Sequence, residues 1–432
     1  YKGVYDIPLS FCLDGKKYRG FSEDMKPEET FRRIDSNFTL TCVTAHLEGL
    51  EIRIEYKEYK DFPMTEWVAY FENVSDKNSK ILSDIRIGDG VLKTDGAALV
   101  YSNGDDLSVQ GYSFFENDLS EKFTLCPNES GTPCAGAAPY IRLRGKEGGF
   151  NIAVGWSGQW IAEFEKTNDG VNVAFGQKRC NLYLKPGEVF RTPRVNIESY
   201  VGDEDHARNM WRRFYIKHIL PKDRDGSPLH PKLCLHLFAE GGKPEFSGAT
   251  EQGQLKALHT YLDKGLRPDI WWLDAGWYPC NGDWVSTGNW TPDTTRFPTG
   301  FADVSETAKA QDVKTLLWFE PERVGLSKQA LAELNKSGDT AVKPEWLIGY
   351  GEGNEAVFLN QPSKYAQFDM GNPEALAWLK ERVKTVLENG GISIYREDCN
   401  IEQMARNYDT LALMYPDRAG ITENKCVQGH YD

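Results

Sequence analysis

At 432 residues, 40 % hydrophobic and 26 % charged, the chain is long enough for two or three domains with sizeable cores and has the makeup of a soluble globular protein. Its formal net charge of −14 argues against nucleic acid or an anionic membrane as partner, since both need a basic surface, and no apolar run approaches the ~18 residues of a membrane span. Nine scattered cysteines without a C-x-x-C pair argue against a zinc site or a full disulfide framework. They fit a reducing compartment, which favours the cytoplasm over secretion while leaving localisation open.

Roughly the first 200 residues read as strands. FTLTCVTAHL (38–47), LEIRIEYKEY (50–59), TEWVAYFENV (65–74) and FNIAVGW (150–156) alternate or are rich in β-branched and aromatic residues. Turn residues lie between them, as in DGKK, SNGDD and KPGE. This half is expected to be an antiparallel sandwich. At 203–219 the period becomes 3.6, with Ala207, Met210, Trp211, Phe214 and Ile219 on one face. Acids stand at the front and basic residues at the rear, matching the helix dipole. Pro221 and Pro231 bracket a linker.

Beyond 231, strand and helix patterns alternate. KLCLHLF (232–238), DIWWLDAGW (269–277), KTLLWF (314–319) and ISIYRED (392–398) read as strands. EQGQLKALHTYLDKG, FADVSETAKAQ and PEALAWLKERVKTVLENGG read as the helices between them, the last with Asn372 as N-cap and Gly390 as its stop. Helices between strands require parallel pairing. Polar residues cluster at the same strand ends: Asp274, Glu320, Arg396 and Asp398. A single acid at a strand end is ordinarily there to reach water. Acids at three C-terminal ends of a parallel sheet mark the place where α/β folds build active sites.

Six of the twelve tryptophans (Trp271, Trp272, Trp277, Trp284, Trp290, Trp318) fall between 271 and 318. Core packing accounts for Trp271 or Trp272. Trp277, Trp284 and Trp290, in or beside a Gly/Pro/Asn/Asp-rich loop, are expected to offer aromatic faces near carboxylates, a setting suited to a sugar. H-E-x-x-H, Walker and G-x-S-x-G motifs are missing from the sequence, and GYGEGN (349–354) is a loop without the full dinucleotide spacing. The seven histidines are dispersed, and none is expected at one of the strand ends; His206 and His259 read as helix-face residues. The expected chemistry is carboxylate chemistry, without metal or cofactor.

The segments WWLDAGWY, LLWFEPERV, FDMGNPEALAWL and IYREDCN, in this order, together with GEVFRTPRVNIESYVGDEDHARNMWRRF, resemble the family 36 glycoside hydrolases, the retaining α-galactosidase group. The resemblance implies a β super-sandwich over 1–202, a helical linker over 203–230 and, over 231–432, the N-terminal half of a catalytic (β/α)8 barrel. It implies that Asp398 is the nucleophile of a retaining exo-α-glycosidase and that Asn400 holds a hydroxyl near C2. Asp274 would grip hydroxyls on C4 and C6, and Trp318 would line the sugar site. Arg396 stands where the family often has lysine, Glu397 where it has tryptophan, and Ala275 where it has a second acid. Glu397 is expected on the opposite strand face, and Glu320 and Glu322 as supporting residues. The family's acid/base lies beyond the fourth strand in a segment with no counterpart up to Asp432. Four β/α units out of eight and bare sheet edges lead to the expectation that a further part of the same protein completes the barrel. The implied partner is a carbohydrate carrying a terminal α-D-galactosyl residue, and the implied assembly is a homo-oligomer. An α-linked 2-amino or 2-acetamido galactoside and a non-catalytic sugar-binding role are the alternatives left open.

Overall fold

The computed structural model describes residues 7–96, 98–105, 108–128, 132–237, 240–280, 287–325, 342–348, 365–399 and 404–432. The chain divides into two compact units, Tyr1–Pro228 with Glu402–Asp432, and Leu229–Ile401.

The first unit is built on two antiparallel sheets. One runs, neighbour to neighbour, through Glu28–Ile34, Phe38–Leu47, Leu50–Tyr59, Met64–Asn73, Arg194–Val201, Gly148–Gly155, Tyr140–Arg144, Ala98–Ser102 and Phe114–Asn117. The other runs through Phe123–Leu125, Trp160–Thr167, Gly170–Gln177, Leu82–Leu92, Leu9–Leu13 and Lys16–Arg19. Alternation fixes the register. In Leu50–Tyr59, Leu50, Ile52 and Ile54 are buried while Glu51, Arg53 and Glu55 stay partly in water. A one-residue slip would turn all three aliphatic side chains outward, forfeiting about 1.5–3 kcal/mol for each. Both sheets contribute to one core, with Phe11, Ile54, Phe71, Ile87, Trp160, Phe164 and Phe175 among its members.

The helix expected after 203 spans Glu204–Phe214. Asp203 caps it by accepting from the His206 backbone N–H at 2.8 Å. It then passes into a π turn, Tyr215–Ile219, which rotates the apolar stripe off register and leaves Ile219 exposed. Residues 404–432 pack with the sandwich in this unit, whereas the sequence pattern groups them with the strand–helix half. Arg418–Ala419 pairs with Asn181–Leu182. The helix Ile421–Tyr431 sets Asn424 against the Gln177 side chain and the Arg191 backbone.

The second unit holds a four-stranded, wholly parallel sheet: β1 (Cys234–His236), β2 (Ile270–Leu273), β3 (Lys314–Phe319) and β4 (Ile394–Glu397), in that spatial order. The helices α1 (Glu251–Asp263), α2 (Ala302–Ala310) and α3 (Pro373–Gly390) lie between consecutive strands in sequence. Side-chain caps open α1 and α3. Thr250 accepts from the Gly253 N–H at the head of α1. Asn372 caps α3 through the Glu374 and Ala375 N–H groups. Gly391 (φ +62°), one residue beyond the expected stop, takes the left-handed turn that ends α3.

Candidate active site

The parallel register aligns Leu273 with Leu317 and Trp318 with Arg396, so Asp274, Trp318 and Arg396 occupy one row at the C-terminal ends of β2, β3 and β4. Asp398 follows β4, and its backbone N–H donates to Phe319 O at 2.9 Å, carrying the pairing one step past the strand. This anchors the carboxylate at a sheet edge rather than on a free loop.

Both carboxylate oxygens of Asp398 are engaged. Oδ2 accepts from Trp318 Nε1 at 2.8 Å and lies 3.2 Å from Arg396 Nη1. Oδ1 accepts from the Cys399 backbone N–H at 3.0 Å. The Asp398 side chain is still 31 % exposed, so it is oriented and yet reachable. The 396/398 spacing puts the guanidinium and the carboxylate on the same side of the strand. Glu397, between them, is exposed and accepts from its neighbour Tyr395 Oη at 2.9 Å.

Asp274 is partly buried, and its Oδ1 accepts from the Ala275 N–H at 2.8 Å. Burial raises its pKa above the usual carboxylate range. The Ala275 N–H, Arg396 and His236 pull the other way, and the charge of Asp398 adds to the rise. The two acids therefore sense each other and share Arg396 as their common cation. Glu320 is fully buried and ion-paired with Arg323, a supporting contact in the interior. Asn400, Trp284 and the stretch 349–354 lie outside the described residues.

Two expectations need correcting. Trp277 and Trp290 are core residues, each 1 % exposed, in an aromatic cluster with Tyr278, Trp318 and Phe319. Trp290 takes its place there at φ +51°. Trp318 is likewise only 2 % exposed. Its carbonyl accepts from Trp277 Nε1 at 2.8 Å, and it meets the site through its N–H rather than through its ring face. On the remaining strand, β1, which ends at His236 rather than at 238, the histidine ring lies 5.1 Å from that of Trp272.

Trp272 is the residue the sequence reading passed over. Arg396 Cζ sits 4.7 Å above its ring. The available signal was parity: Trp272 precedes Asp274 by two and faces the same side of β2, whereas Trp271 faces the helices, donating to Gln254 at 3.0 Å. Among the described residues no cluster of three His, Cys, Asp or Glu side chains is arranged to hold a metal ion.

Residues 251–415 match the family model Melibiase. The chain is 22 % identical to alpha-galactosidase C of Emericella nidulans over 307 residues (63 % of this chain, 38 % of the relative). It is 20 % identical to alpha-galactosidase AgaA of Geobacillus stearothermophilus over 402 residues (89 % and 50 %). Among solved structures, the Lactobacillus brevis alpha-galactosidase superposes with a TM-score of 0.65 at 15 % identity (95 % of this chain, 58 % of that one). A variant of AgaA in complex with raffinose superposes at 0.66 and 16 % identity (95 % and 60 %). These relatives share the fold, including its sheet-rich N-terminal domain. The chain spans from about a third to half of the length of the curated relatives it matches.

Proposed function

We propose that the chain, like the family 36 glycoside hydrolases it resembles, carries the nucleophile and part of the sugar site of a retaining exo-α-glycosidase acting on terminal α-D-galactosyl residues. The observation that carries the reading is the setting of Asp398, a reachable carboxylate at the end of a parallel strand with one oxygen hydrogen-bonded by Trp318 and ion-paired with Arg396. A nucleophilic carboxylate must be ionised and aimed. The Trp318 N–H donor and the permanent positive charge of Arg396 beside Oδ2 favour ionisation.

In this reading Asp398 attacks the anomeric carbon, forming a glycosyl ester as the aglycone leaves, and water then cleaves the ester. Asp274 accepts hydroxyls of the bound sugar. Asn400 holds the hydroxyl near C2. Arg396 balances the charges of Asp274 and Asp398 as the nucleophile's charge is consumed. The four parallel strands form the first half of a (β/α)8 barrel, and strands completing it bring the acid/base to within ~5–5.5 Å of Asp398. That alpha-galactosidase AgaA has been crystallised with raffinose and with stachyose supports an α-galactoside as substrate. No metal or cofactor enters these steps, and a homo-oligomer is the proposed assembly.

A second sugar class is favoured by one observation. Ala275, 5 % exposed, places a methyl group where the family has a second acid, so an α-linked 2-amino or 2-acetamido galactoside is the competing substrate. The test uses dinitrophenyl α-glycosides of galactose, N-acetylgalactosamine and galactosamine, whose leaving group needs no acid. Dinitrophenolate release from the galactoside by the protein, abolished in Asp398→Asn, is the expected result. Binding without release from any of the three would instead make the chain a sugar-binding protein.

A further inference from the structure

The ring of Trp272 lies between His236, at 5.1 Å, and the guanidinium of Arg396, at 4.7 Å. Other indoles nearby are oriented by their own N–H groups: Trp271 donates to Gln254, Trp277 to the Trp318 carbonyl and Trp318 to Asp398. Trp272 Nε1 is buried and finds no acceptor among the described residues. What holds this indole is contact with the His236 ring, tilted at 41°, and with the Arg396 guanidinium over its face. An arginine at this position has a flat fork whose useful contact depends on the plane it adopts, whereas an ammonium is a point charge that needs no such plane. Arg396 Nη1 is 3.2 Å from Asp398 Oδ2 and makes no hydrogen bond of good geometry, so the pair's own geometry does not hold the guanidinium in place.

We propose that Trp272 is a positioning residue for the nucleophile, an aromatic shelf that sets the plane of the Arg396 guanidinium and thereby its ion pair with Asp398. The inference rests on the reading of Asp398 as nucleophile. Cation–π contact with a part-desolvated arginine is strong enough to select one rotamer of a long side chain. Among the described residues, the charged and titratable groups near Asp398 include Arg396 on its own strand, Asp274 from β2 and, beyond Trp272, His236 from β1. Freed from its shelf, Arg396 would divide its time between two acids and water. Asp398 would then protonate at higher pH.

The experiment is the pH profile of kcat/KM for dinitrophenyl α-galactoside with Trp272→Leu, Trp272→Phe, Arg396→Lys and the Trp272→Leu/Arg396→Lys pair. Trp272→Leu is expected to move the acidic limb upward by about one pH unit, a tenfold loss of rate below it. Trp272→Phe, which keeps a ring, restores most of the profile. In the Arg396→Lys background, Trp272→Leu is expected to shift the limb little, because lysine has no plane to set. A limb unmoved by Trp272→Leu, or moved equally in both backgrounds, would overturn the proposal. Thermal melts of each variant separate a folding defect from a shift of the limb. If Asp398→Asn kept its turnover, the parent reading would fail instead, and the two failures are distinguishable.

Discussion

Trp318 Nε1 donates a 2.8 Å hydrogen bond to Asp398 Oδ2 across two neighbouring parallel strands. The donor cannot drift: its carbonyl is tied to Trp277, and its ring stacks on Tyr278 at 6.4 Å with 22° between the planes. The aromatic cluster beneath the strand ends therefore acts as a rigid base that aims one N–H at one oxygen.

Trp318→Phe removes that donor while filling much of the same space. A hydrogen bond to a charged group contributes about 1.5–3 kcal/mol, which corresponds to a 10- to 100-fold fall in kcat/KM. The far-ultraviolet spectrum should be unchanged, and steady-state kinetics beside a circular-dichroism melt check both halves of the expectation.

Asp274 illustrates a site residue held at a cost. Burial raises its folded pKa, so the folded state favours the protonated form. The stability it contributes is present below its unfolded pKa and is lost as pH rises through the higher folded value. Asp274→Asn should consequently melt higher than wild type at neutral pH, with the gain vanishing in acid, while sugar affinity drops. Melting curves at about pH 3 and about pH 7, with isothermal titration of galactose, read both effects.

A second proton-linked acid lies in the sandwich unit. Glu423 is fully buried on the helix Ile421–Tyr431, and burial pushes its pKa up to about 7 against the opposing pull of the Gln159 backbone N–H and Arg179. Arg179 is itself shared with Asp409. The sign is the same as for Asp274: stability is full below the ordinary glutamate value and declines as pH rises through about 7. Glu423→Gln should flatten the pH dependence of this unit's melting over that window. A wild-type melt independent of pH there would contradict the assignment.

Gly276 sits two residues after Asp274 at φ +89°, and a Cβ built on it would approach the Glu245 carbonyl oxygen to 2.6 Å. Gly276→Ala combines a strained backbone with a clash against main chain, a loss of about 1–3 kcal/mol. Chemical denaturation should show the lower stability. Sugar affinity should fall as well, because the loop that carries the strain also carries Asp274.

Much of this was legible in the chain. Alternation in LEIRIEYKEY gave the sandwich strand, and Asn372-Pro373 gave the head of α3. The shared strand-end position of Asp274, Arg396 and Asp398 was readable before the structure, since where a strand ends and which face a residue takes are local properties of sequence. What escaped were matters of distance. Trp290 is buried in a left-handed conformation, which no composition rule foresees, so Trp277 and Trp290, read as sugar platforms, are core residues. His236 was hidden because β1 stops two residues short of its apolar run. Trp272 was dismissed as packing because its partner, Arg396, is 124 positions away in sequence and meets it only once the strands are in register. The destination of residues 404–432 depends on long-range contacts with Gln159, Gln177 and Glu188, which no pattern in 404–432 announces.

The central claim is that Asp398 attacks the anomeric carbon, and chemical rescue tests it most directly. Asp398→Gly should lose hydrolysis of dinitrophenyl α-galactoside, and added azide, occupying the vacated space, should restore dinitrophenolate release. The account predicts that the product is β-galactosyl azide, formed by attack from the face where Asp398 stood. An α-configured azide, or undiminished hydrolysis without azide, would contradict it.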